Sequence, residues 1–516
     1  MTITTAKRIA ARLPRLAPLA AALLVALPAQ AQWEVTPSLS LTETYSDNPG
    51  LRSDANKRGQ WISEARPGIA VYGRNARVQL SASANASYYK YSRERAGTRS
   101  NNSRYDANGR VKVIDELLYV DAAARRSSRA ISAFGPNNDN GFSDENSADV
   151  STWSVSPYLT QRFGNFAVGS LRYTHEQVKS DTSRFGDSTT DSAAFNLASG
   201  RAWRDFGWNL GYRREDLQTE TFGDSSSENA LLRLSYALHR TFRLTASGGY
   251  DSYDYEAAGG ASTAGPSWSV GFAWRPSART AVDLSVGRHF LGNTGSLAAS
   301  HRSRHTVWRL NYSDGVTNSR RQFTGAQTVD TVGLIDSLFA VTIPDPLARR
   351  EAVLDYLLLT GLPLSSTQEV NYLTNRYFRQ KQASASFAFN KRAHGTVISA
   401  FANERVALST GEVDAGLLGS SLFGLNDNVR QLGMSAAHTY RLNALTNATA
   451  TLLATRNRSL TTSFERDQQS LRLGLSRRFS RNLNGRVELR HIRGDRGLSG
   501  AGYTENAISA TLSAQL

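Results

Sequence analysis

Residues 78–91 read VQLSASANASYYKY, with Val78, Leu80, Ala82, Ala84, Ala86 and Tyr88 on one parity. Gln79, Ser81, Ser83, Asn85, Ser87 and Tyr89 occupy the other. Side chains of a strand point alternately to opposite faces, so this ribbon has one apolar side and one wet side. The constraint on the fold comes from repetition. Val35, Leu39, Leu41 and Tyr45 alternate with polar residues, as do Trp61, Ala65, Ile69 and Val71. The pattern returns at Trp153–Leu159, Ala230–Leu238, Phe242–Tyr250, Trp268–Trp274, Leu471–Leu475, Leu483–Leu489 and Ile508–Leu516.

The connections alternate as well. Short links (YGRNAR, RFGNF, RPSART, NKRAHG, SRNLN) separate pairs of ribbons, and long polar stretches such as SDNPGLRSDANKRG and SRAISAFGPNNDNGFSDENS lie between the pairs. Short turns at one rim and long loops at the other are the build of a membrane β-barrel. Ribbons of about ten residues suit a tilted crossing of the hydrocarbon layer. Closure removes the unpaired edge that lipid does not tolerate. The predicted fold is all-β: a transmembrane antiparallel barrel of about 22 strands, within a range of roughly 18–24. An even count puts both termini in the periplasm. A large secreted sandwich or solenoid also alternates, but lacks the short–long rhythm. The final residue, Leu516, departs from the aromatic residue that usually ends such barrels.

Residues 1–31 read as a cleaved signal peptide: Lys7, Arg8, Arg12 and Arg15, then an apolar run from Leu16, then Ala29-Gln30-Ala31 before the cut. That run is too short to span a bilayer. The barrel then occupies 32–516, in the outer membrane. Cysteine is absent, which excludes disulfides and thiolate metal sites. The formal charge is +16, and +12 without the four signal cations. Only seven of the sixty basic residues are lysine. In an exported chain without a nucleic-acid motif, that excess points to anionic lipid or glycan rather than nucleic acid.

One segment breaks the rhythm. Residues 324–380 include DSLFAVTIPDPLARREAVLDYLLLTGLPLSS, where Asp345 before Pro346 predicts a helix start and Gly361 a stop. The helix over 344–361 is read as a cap over the mouth, a constriction folded into the lumen, or an ornament on the loop surface.

Chemistry-bearing residues are sparse. His301 and His305 are spaced for a metal on a helix, but on a strand they stand about 13 Å apart. The loop containing Asp139, Asp144, Glu145 and Asp149 is oxygen-rich without the spacing of a calcium loop. No nucleophile context is present; neither an enzyme nor a cofactor is read here. Parity assigns Arg125, Arg172, Arg233, Arg243, Arg309, Arg472, Arg486 and Arg490 to the lumen, against Asp121, Glu176, Asp283 and Glu488. Arginine lining a pore favours anions and grips carboxylate or phosphate with two bonds. Tyr89 and Tyr119, on the same face, offer ring faces to sugars. The alternative is an ion-pair lattice that stiffens a wide barrel, with rim cations on lipopolysaccharide.

Several passages carry a family likeness: WEVTPSLSLTETYSDNPGL, WISEARPGIAVYG, VSPYLTQRFG, LRYTHEQV, WRPSARTAVDLSVGRHFLG and HRSRHTVWRLNYSDGVTNSRRQF. From Trp33 to the C terminus the chain resembles the PEP-CTERM-system-associated outer-membrane proteins, encoded beside exopolysaccharide biosynthesis genes. The resemblance implies a barrel and an exopolysaccharide setting, and supplies no catalytic residue. Three functions stay open: export of an anionic exopolysaccharide, with periplasmic export or biosynthesis proteins as partners; a general diffusion porin; and a non-transporting envelope protein that organises surface polymer.

Overall fold

The computed structural model describes residues 32–515 apart from 94–97, 137–141, 143–145, 182–184, 221–222, 256, 258–261, 325–330, 341–348, 350–352, 354–371, 375, 410–426, 463 and 496–500. The expected signal peptide and most of the expected 344–361 helix lie outside these residues. The described chain forms one antiparallel sheet of 22 strands. β1–β6 are Gln32–Ser46, Gln60–Arg74, Val78–Tyr91, Asn101–Ile114, Leu118–Ala130 and Ser147–Phe163. β7–β12 are Ala167–Ser180, Ser188–Ser199, Phe206–Thr219, Ser225–His239, Phe242–Asp254 and Ala264–Ser277. β13–β17 are Thr280–His289, Gly292–Arg302, Thr306–Asn318, Tyr377–Lys391 and His394–Ala407. β18–β22 are Asn428–Asn443, Thr446–Ser459, Glu465–Arg478, Leu483–Asp495 and Gly502–Gln515.

Each strand pairs with the next in sequence, and β1 pairs with β22, so the sheet closes. The connections at the rim that holds both chain ends are turns of two to six residues. In one of these, Gly164 at φ +57° turns β6 into β7 in the left-handed region that glycine enters without steric cost. The opposite rim carries the long connections. Above the β1–β22 join a latch forms. Asn506 N donates to Asp47 Oδ1 at 2.7 Å, and Thr504 donates to Asp54 Oδ1 from N at 2.9 Å and from Oγ1 at 2.7 Å. The Thr504 hydroxyl holds the Asp54 carboxyl below the ordinary carboxylate range.

The registers sort the wall into two faces. Val35 aligns with Val71, Leu39 with Ala514, and Leu41 with both Ala65 and Leu512, and this parity carries around the circumference. On that face large apolar side chains are exposed, among them Leu210, Leu232, Leu234, Leu452, Leu473 and Leu489. Aromatic residues fringe the belt: Tyr45, Trp61, Tyr88, Tyr105, Tyr173 and Trp268 toward the long-loop rim, and Phe163, Phe206, Trp274, Trp308 and Phe479 toward the turns. From Ala230 to Leu238 the belt spans eight residue steps of β10, roughly 20 Å of height for a strand tilted by about 40°. Among the described residues no helix is long and apolar enough to cross a membrane, so the strands make the crossing. The long-loop rim is then extracellular and both ends of the described chain are periplasmic.

Candidate functional site

The wall opposite the belt encloses the lumen, and the registers place all ten residues named from parity on it. They fall into distinct settings. On β4–β7, Arg125 reaches Asp106 at 2.6 Å, while Asp121 is shared by Arg110 at 2.7 Å and Arg172 at 3.1 Å. The Arg172 guanidinium lies 4.0 Å over the Tyr158 ring, and Tyr158 stacks on Tyr119 with centroids 5.1 Å apart. The Tyr119 ring is thus partnered by Tyr158. Tyr89 meets Phe142 of the loop above it edge-on at 5.5 Å. On β21, beyond the β1–β22 join, Arg486 pairs with Glu488 at 2.6 Å. Arg490, buried, makes two bonds to Glu505, at 2.7 and 3.0 Å, and Ser46 adds a third at 2.6 Å. Arg472 stands half-buried opposite Arg490. Arg233 and Arg243 are exposed to the lumen, and among the described residues neither forms an ion pair; Arg243 donates only to Ser235 Oγ, at 3.4 Å. Arg309 donates to Ser337 on a helix inside the barrel.

That helix belongs to the segment joining β15 to β16. The irregular stretch runs from 319 to 376, starting five residues before the expected 324 and ending four before the expected 380. Its described helices are α1 (Ser319–Thr324) and α2 (Thr331–Phe339), neither of which the sequence reading placed. Of the expected helix, Arg349 and Val353 are described, and both are helical. Asn318 caps α1: its Oδ1 accepts from Arg321 N at 2.8 Å.

α1 links two walls. Arg321 makes two bonds to Glu215 of β9, at 2.8 and 3.0 Å. Arg320 donates to Ser188 Oγ at 2.7 Å and to Phe185 O at 2.8 Å. On the other side, Gln322 accepts from Arg405 of β17 at 2.6 Å and donates to Gln380 of β16. Arg405 is fully buried between the rings of Phe378 and Tyr372, 4.5 and 4.6 Å from its guanidinium. Burial opposes the charge on Arg321, but Glu215 outweighs it, and the guanidinium pKa rises. Breaking such a buried pair from one side costs about 3–5 kcal/mol. Leu373 completes the crossing by packing on Ala148, Val150, Val178 and Phe185.

α2 lies far deeper. Leu334, Ile335 and Leu338, one face of the helix, pack on Val307, Ala388, Val397 and Ala437. Those wall residues are near the periplasmic ends of β15–β18. The segment therefore enters at the extracellular rim and descends most of the barrel's height before returning to β16. Loops add cover above: Asn457 donates to Ala133 O, Phe134 meets Phe464 at 5.4 Å, and Ala257 bridges to Ser409. Stacked on Tyr377 in this cover, Tyr255 is half-buried, and the loss of solvent pushes its pKa up to about 12.

The remaining candidates are placed as follows. His301 Nδ1 faces Thr280 Oγ1 at 2.9 Å, and His305 Nδ1 faces Asn390 O at 3.2 Å, so the two do not converge. Asp139, Asp144 and Glu145 lie outside the described residues. Asp149 is engaged by Arg99 at 3.0 Å. Sequence reasoning missed Asp106, Glu215 and Glu505, although the parity of their own strands carried the signal. An apolar groove of about 590 Å³ at Leu159, Phe163, Leu171 and Phe195 opens on the lipid side and is not part of the lumen.

A closed 22-stranded sheet with an apolar belt between aromatic fringes defines an outer-membrane β-barrel. No family model matches this sequence, and none of the curated proteins does. Among solved structures, the FrpB iron transporter of Neisseria meningitidis aligns with a TM-score of 0.49 and 9% identity, over 93% of this chain and 81% of its own. The ferric enterobactin receptor PfeA of Pseudomonas aeruginosa gives 0.47 and 10%, over 94% and 80%. The siderophore receptor PirA of Acinetobacter baumannii gives 0.45 and 8%, over 94% and 80%. The barrel assignment rests on the sheet itself, and nothing of those proteins' cargo carries over.

Proposed function

We propose that this barrel is an export channel for an anionic exopolysaccharide, with α1 and α2 lodged in its lumen at rest. The observation that carries the reading is the state of the lumen arginines. Arg233 and Arg243 point into the lumen without a carboxylate, while Arg125, Arg172, Arg486 and Arg490 are balanced. Uncompensated guanidinium groups on a water-filled wall attract anions and can step a carboxylated or phosphorylated chain along. The likeness to the exopolysaccharide-associated family supports the same cargo class. Periplasmic biosynthesis or export proteins would deliver it.

A second reading is favoured by the crossing contacts of α1 and Leu373. A mouth tied across from Glu215 to Arg405 suits a protein that organises surface polymer without passing it. Two experiments separate the readings. Changing Arg233, Arg243, Arg472 and Arg486 to Gln should move the reversal potential in asymmetric salt toward cations. The shift should shrink at 1 M salt, where the screening length is about 3 Å. Unchanged selectivity would leave these arginines a structural role only. In the parent organism, a deletion strain that retains polymer in the periplasm supports export, and one that secretes normally but loses polymer from the surface supports the organiser.

A further inference from the structure

We infer that His394 and His438 form a two-imidazole site for a transition-metal dication of the zinc class, on the outer face of the barrel near its periplasmic rim. The two residues are 44 positions apart in the chain and belong to adjacent strands, β17 and β18. His438 stands directly across from Thr396, and His394 directly across from Tyr440. Ile398, Ala400, Ala436 and Met434 continue the same face into the apolar belt, so both histidines look outward, and both are exposed. β17 starts at His394, beside the short turn from β16, which puts the pair at the turn-side fringe of the belt.

Geometry carries the assignment. His394 Nδ1 lies 3.5 Å from His438 Nε2. A dication with bonds of about 2.0–2.1 Å in tetrahedral directions holds two nitrogens about 3.3–3.4 Å apart. The pair therefore already has close to the bite of a chelate. Its rings are tilted by 39°, with centroids 5.5 Å apart. Among the described residues, which include all eight histidines, no other two imidazoles meet.

A second contact orients the pair. His438 Nδ1 is 2.9 Å from Thr396 Oγ1. When that nitrogen carries the proton and donates to the hydroxyl, Nε2 keeps its lone pair toward His394, the tautomer a metal requires. The Tyr440 ring lies beside His394, 4.9 Å between centroids, and restricts its rotation. Among the described residues no third histidine or carboxylate joins the two, so water fills the remaining positions from the exposed side. Two protein ligands hold less firmly than the four of a structural zinc site, and the ion exchanges with the periplasm. Behind the site, Val397 and Ala437 belong to the lumen-side seat of α2. A bound ion thus ties together two of the strands that carry that seat.

The test uses the full barrel without a polyhistidine tag, purified in detergent, with folding verified by heat-modifiable migration. Zn2+ is titrated by calorimetry, and Cu2+ serves as the probe for electron paramagnetic resonance. Zn2+ should bind the parent and raise its melting temperature, because it binds the folded form. Cu2+ should give a spectrum with two coordinated imidazole nitrogens. H394Q and H438Q should each lose that signature and bind Zn2+ at least about tenfold more weakly. T396V should weaken binding by about tenfold yet keep the two-nitrogen spectrum at saturation, as an orienting partner does. H491Q, which removes an exposed outward histidine on β21, should behave like the parent. A pair joined only by an imidazole–imidazole hydrogen bond gives no two-nitrogen copper spectrum. That result, parent affinity in H394Q or H438Q, or equal loss in H491Q would each overturn the site. Parent affinity in T396V would overturn the orienting role of Thr396. Should one histidine variant fail to fold, the other decides.

Discussion

Removing residues 319–376 should leave a barrel that assembles in the membrane and conducts far more than the parent. Asn318 and Tyr377 already face each other at the top of β15 and β16, so a short hairpin turn can join them without touching the wall. What leaves is the contents of the lumen: the crossing of α1 from Glu215 to Arg405, the Leu373 contact, and α2 on its apolar seat. The variant should melt lower, because Val307, Ala388, Val397 and Ala437 then face water, at about 25 cal/mol per Å² uncovered. Glu215 and Arg405 lose buried partners as well. The opened lumen rehydrates them, so the cost stays below that of stranding either charge in a dry site. Single-channel recording in a planar bilayer is the measurement. A correctly folded variant that conducts no better than the parent would show that the segment is not the barrier and that the extracellular loops close the mouth.

Replacing Leu234 by Arg should cost about 2–4 kcal/mol, because the side chain enters hydrocarbon near the middle of the belt. Leu234 is directly between Trp208 and Ala246 on the outer face of β10. Its neighbour Ser235 lies on the lumen face beside Arg243. Ser235→Arg therefore crowds a hydrated wall without burying charge, and its effect should be small. The amount of heat-modifiable, membrane-extracted protein reports both. Equal loss from the two substitutions would falsify the division of the wall into lipid and lumen faces.

The barrel was legible because most of its strands meet two different solvents, and an alternation of Leu and Ser survives without any knowledge of neighbours. The strand number follows from the rhythm of turns. The alternation fades from β16 to β18, and the structure gives the reason. Ala388, Val397 and Ala437 are inward and apolar because α2 covers them, so both faces of these strands meet greasy surroundings. The same contact hid α2 itself. Its sequence TVGLIDSLF combines β-branched residues with a glycine, weak helix formers whose helix is sustained by the wall it packs on. α1 had a readable cue in Asn318, overlooked because the helix is only six residues long. Inward arginines were likewise visible by parity. Their partners were not: Arg321 meets Glu215 only because a loop from one side of the barrel crosses to the other, and no local pattern encodes that.

The join between β1 and β22 differs from every other contact around the wall. It pairs the first strand with the last, and it brings Tyr45 opposite Ile508. All other neighbours in the sheet are consecutive in the chain, so their pairing can spread stepwise from turn to turn. The join must wait for the two ends of the whole ribbon to meet, and the entropy of that closure is repaid only after nearly everything else is in place. Folding therefore has a clear last act, and unfolding a first one. Asp47, Asp54 and the Arg490–Glu505 pair are clustered at this place, where they slow the unzipping of a cylinder that has only one long-range seam to fail.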